Sequence, residues 1–94
     1  MELIKLAGAA SGFEYTRDAN PLIDDSLAFR LAVKLNLQVT FDMSDLGQVV
    51  KVSIPWGSEH FDSEYEWIEY LHDDALAATR RAVIRCAAEI GEYK

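Results

Sequence analysis

The sequence predicts an α+β fold, an antiparallel β-hairpin or three-stranded sheet packed with two to three α-helices that include a long C-terminal one. Three observations predict it. Leu27, Leu31 and Leu35 recur every fourth residue, the spacing of one helix face. Leu37, Val39 and Phe41 alternate with Gln38 and Thr40, the two-residue period of a half-buried strand. Leu76, Val83 and Ile90 recur at seven along an alanine-rich stretch. At 94 residues the chain makes one domain, residues 1–94. Its core is small, because a domain of this size buries only about 60 to 65 per cent of the surface its unfolded chain exposes.

The elements follow in order. Residues 1–11 place Leu3, Ile4, Leu6, Ala7 and Ala10 at helical spacing, with Gly12 as the stop, and an edge strand over residues 2–7 is the competing reading. Residues 13–16 read as a brief extended piece and 17–20 as loop. Asn20-Pro21 is a helix start, with Asn as cap and Pro in the first turn, although Asp25-Ser26 serves equally as the cap. The helix runs over 22–36, with Ala28 and Ala32 beside the leucines, Arg30 and Lys34 on the other side, and Asn36 at its end. Residues 37–54 form the hairpin, with turn chemistry at 43–47 (Ser44, Asp45, Gly47), and Pro55 and Gly57 close it.

Residues 58–72 support two readings. Ser63 and Glu66 make a capping box, and Phe61, Tyr65, Ile68 and Leu71 a helical stripe, which favours a helix at 64–71. Phe61, Tyr65, Trp67 and Leu71 also fit much of a third strand. Asp73-Asp74 then caps a long helix over 74–90, in which Thr79, Cys86 and Ala87 supplement the apolar side, Arg81, Arg85 and Glu89 line a polar one, and Gly91 is the stop.

The run Asp24-Asp25-Ser26-Leu27-Ala28-Phe29 through Leu35, then Val39-Thr40-Phe41, then Asp73-Asp74-Ala75-Leu76-Ala77 through Arg85-Cys86-Ala87-Ala88 resembles the phage ABA sandwich family of small phage and prophage proteins. The resemblance spans about two thirds of the chain. It implies a phage setting and helices packed on a sheet, and it carries over no site residue. The acidic-aromatic stretch at 58–72 has no counterpart in the pattern.

That stretch holds the charge. Between Val52 and Thr79 there is no Lys or Arg, while Glu59, Asp62, Glu64, Glu66, Glu69, Asp73 and Asp74 match the whole formal excess of −7. Elsewhere acids and bases cancel. With a pI near 4.6, the chain is ill suited to bind phosphate backbones or anionic membranes directly, since both attract Lys and Arg. It suits a partner with a basic surface. The single cysteine, Cys86, closes no internal disulfide, and no apolar run has signal-peptide or membrane-spanning length, which predicts a cytosolic protein, in the phage setting one of the host cytoplasm.

The candidate partner-binding residues are Glu59, Asp62, Glu64, Tyr65, Glu66, Trp67, Glu69 and Tyr70. The carboxylates steer toward a basic partner and imitate a row of phosphates, while the rings give contact area at modest entropic cost. Against this stands an amphipathic element whose rings are core and whose acids are solvated. The expected function is a small acidic non-enzymatic phage or prophage accessory protein that binds and inhibits a host macromolecule. Its sharpest form is an anti-CRISPR-like inhibitor occupying a basic nucleic-acid-binding groove. The alternatives are a structural or oligomerisation module of a phage assembly, and a small-ligand-binding protein or enzyme.

Nothing in the sequence implies a cofactor. His60, His72, Asp73 and Asp74 include metal-ligating types, but their spacing lacks a ligand motif, and an aspartate pair before a helix is more often a cap. Cys86 reads as a buried structural thiol. Arg80, Arg81 and Arg85 are placed to pair with the acidic block, and an intermolecular version of that pairing would give a homodimer.

Overall fold

The computed structural model describes residues 2–16, 19–45, 47–54, 65–71 and 74–92. The elements are α1 (Glu2–Ser11), α2 (Asp25–Lys34), β1 (Gln38–Ser44), β2 (Gly47–Ile54), β3 (Tyr65–Tyr70) and α3 (Ala75–Glu92). The strands form one antiparallel sheet in the order β1-β2-β3. The fold is therefore α+β, with three strands, three helices and the long helix at the C-terminal end.

Helix α1 ends as its sequence predicts. Gly12 takes a left-handed φ of 81° and its N–H donates to the Gly8 carbonyl at 2.8 Å. Helix α2 starts later than expected. Asn20 caps only a turn, accepting from the Leu22 N–H on its side chain at 2.8 Å, and the helix begins after Asp24, whose carboxylate accepts from the Ser26 and Leu27 N–H groups. Asn36, with φ 55°, turns the chain out of the helix. In α3, Asp74 is the cap, accepting from Ala77 N–H at 2.9 Å, and Asp73 lies outside the described residues.

Three further expectations are corrected. Residues 65–70 form a strand, because Tyr65, Trp67 and Ile68 have open pairing partners along β2, from Ile54↔Tyr65 to Val49↔Tyr70. Gly91 does not stop α3, which continues to Glu92; a Cβ at 91 would overlap the Leu6 carbonyl, so the glycine lets α1 lie directly on α3. Met43 and Ser44, expected in the turn, belong to β1.

Helix α3 is the hub of the core. It rests on β2 and β3, and both α1 and α2 pack on it. Ala78, Ala82, Ile84, Cys86, Ala87 and Ile90 of α3 are buried with Ile4 and Ala7 of α1, Leu31 and Leu35, and Val50, Val52 and Ile54 of β2. The small side chains permit the close helix contacts, and the branched ones fill the sheet side.

Candidate partner-binding surfaces

Strand pairing decides where each residue of β3 points, because cross-strand partners share a face. Tyr65, Trp67 and Glu69 lie opposite Ile54, Val52 and Val50 and face α3. Glu66, Ile68 and Tyr70 lie opposite Ser53, Lys51 and Val49 on the outer face, where all three are exposed. The period of two thus divides the acidic-aromatic block between two sides of the sheet.

The inward half is used by the fold. The Trp67 indole N–H donates to Glu69 Oε2, and Glu69 Oε1 accepts from Arg81 Nε at 3.2 Å. The Arg85 guanidinium stands 4.9 Å from the Trp67 ring centroid, a cation–π contact across the helix–sheet interface. Tyr65 is half-buried, and its phenol is pushed above its ordinary pKa, first by burial and then by the Glu89 charge. The outward half lies on the other side of the sheet: Glu66 and Tyr70 stand on the outer face beside Ile68, which is 47% exposed. Glu59, Asp62 and Glu64 lie outside the described residues, as do His60 and His72.

The third arginine serves a different contact. Arg80 donates from Nε to the Leu22 carbonyl at 2.8 Å and pairs with Asp25 through its guanidinium, tying α3 to the start of α2. This pair sits at the rim of a groove that the sequence did not reveal. The groove has a volume of about 560 Å³ and lies between α2, the first half of α3 and the start of β1. Phe29, Val33, Val39 and Leu76 line it, and Phe29 is 71% exposed.

The groove continues onto β1. Val39, Phe41 and Met43 lie opposite Val52, Val50 and Gln48, so they face the helix side of the sheet, yet α3 packs mainly on β2 and β3. Phe41 is 61% and Met43 66% exposed. The alternation expected of a half-buried strand is present, but among the described residues no layer covers it. The surplus of apolar positions in α2 was the available signal: Phe29 and Val33 lie off the leucine stripe that the core uses.

Cys86 is sealed. Its Sγ donates to the Val52 carbonyl at 2.9 Å, and burial pushes the thiol up to about 12. No protein-family model, curated protein or solved structure matches the chain.

Proposed function

We propose that this chain is a small non-enzymatic phage or prophage accessory protein that binds a host macromolecule with a basic surface. In its sharpest form it inhibits a bacterial defence system, in the manner of an anti-CRISPR protein, by occupying a groove meant for nucleic acid. The observation that carries the reading is the one-sided charge: the whole excess of seven acids falls between Val52 and Thr79, and Glu66 and Tyr70 from that stretch stand exposed on the outer face of β3. Lys51 shares that face but is paired with Asp42, and an excess of one sign of charge with a ring beside it favours fast, oriented encounter with an opposite charge.

Within the candidate set the tasks divide. Glu66 and Tyr70 make contact, joined by Glu59, Asp62 and Glu64 from the same block. Trp67, Glu69 and Tyr65 hold the strand to α3 and so fix the direction in which Glu66 and Tyr70 point. The test is capture of host proteins from lysate by tagged protein at low and high salt, with Glu66→Lys/Tyr70→Ala as the variant. Captured partner is expected to fall at least tenfold at high salt and with the variant, while circular dichroism stays unchanged. Capture indifferent to both would end the reading.

A second reading, a structural or oligomerisation module, is favoured by the uncovered apolar face formed by α2 and β1.

A further inference from the structure

We draw no further inference here: the strongest candidate, the apolar groove between α2, the first half of α3 and the start of β1 with its continuation onto Phe41 and Met43, is an exposed apolar face, and nothing in the structure shows what covers it.

Discussion

Gly91 shows how much a single missing methyl group decides. It sits inside α3, one residue before the last, at a point where the Leu6 main chain passes too close for any Cβ. Gly91→Ala must push α1 away from α3 and disturb Ile4, Ala7 and Ile90, which are buried nearby in one cluster. Overpacking of this kind costs about 1–3 kcal/mol, and here the obstacle is backbone, so the upper end is expected in urea unfolding. In the sequence, a glycine near the end of a helical pattern reads as a stop; only the neighbouring helix reveals its other task. Asp24 gives a different lesson: the sequence offered Asn20 and Asp25-Ser26 as caps, and the structure puts the cap at Asp24, between them. The Ser26 hydroxyl and the Leu27 and Ser26 N–H groups hold its carboxylate below the ordinary value. The native state thus binds this proton less readily than the unfolded state, so the contribution is complete above the ordinary carboxylate range and is lost as pH falls through the lowered native value. Asp24→Ala should lower Tm at neutral pH and converge with the parent in acid, and a pair of melting curves at neutral and strongly acidic pH checks this.

At the scale of elements, β3 is where local pattern and tertiary pairing disagreed. Ser63 with Glu66 and the spacing Tyr65, Ile68, Leu71 favour a helix locally. A strand at the edge of β2 satisfies the backbone of both and puts Trp67 under Arg85, which no isolated helix offers. Helices α2 and α3 and the β1–β2 hairpin were legible because their periods persist, while the short run of α1 left an edge strand in competition, and the ends of all were less legible. The groove was not legible, since an apolar residue facing a sheet and one facing solvent look alike until the covering helix is placed. The outer half of the acidic block, Glu66 and Tyr70, belonged to the sequence-level candidate set; that Trp67 and Glu69 turn inward follows only from the register. Arg81→Ala leaves Glu69 without its partner, but Arg81 is half exposed, with 47% of its side chain in solvent. The expected loss is therefore within about 1 kcal/mol. Trp67→Ala removes the ring, its Glu69 bond and its Arg85 contact together, and should cost clearly more, about 2–3 kcal/mol for a half-buried indole. Chemical denaturation of the two variants in parallel separates the contributions.

For the whole molecule, a net charge of −7 on 94 residues means that compaction brings like charges together. Moderate sodium chloride should therefore raise Tm, the reverse of what a fold resting on surface ion pairs would show, and a salt series by differential scanning calorimetry tests it. Alkaline pH should lower stability through Cys86. The native thiol is raised to about 12 from an ordinary 9.0, so its contribution is complete below pH 9 and is lost as pH rises to the native value. The same burial gives the molecule a built-in clock. A disulfide reagent reaches that sulfur only when α3 lifts from β2 and the bond to the Val52 carbonyl breaks. The labelling rate of the unmodified protein therefore reports how often its centre opens, with no probe added and no residue changed.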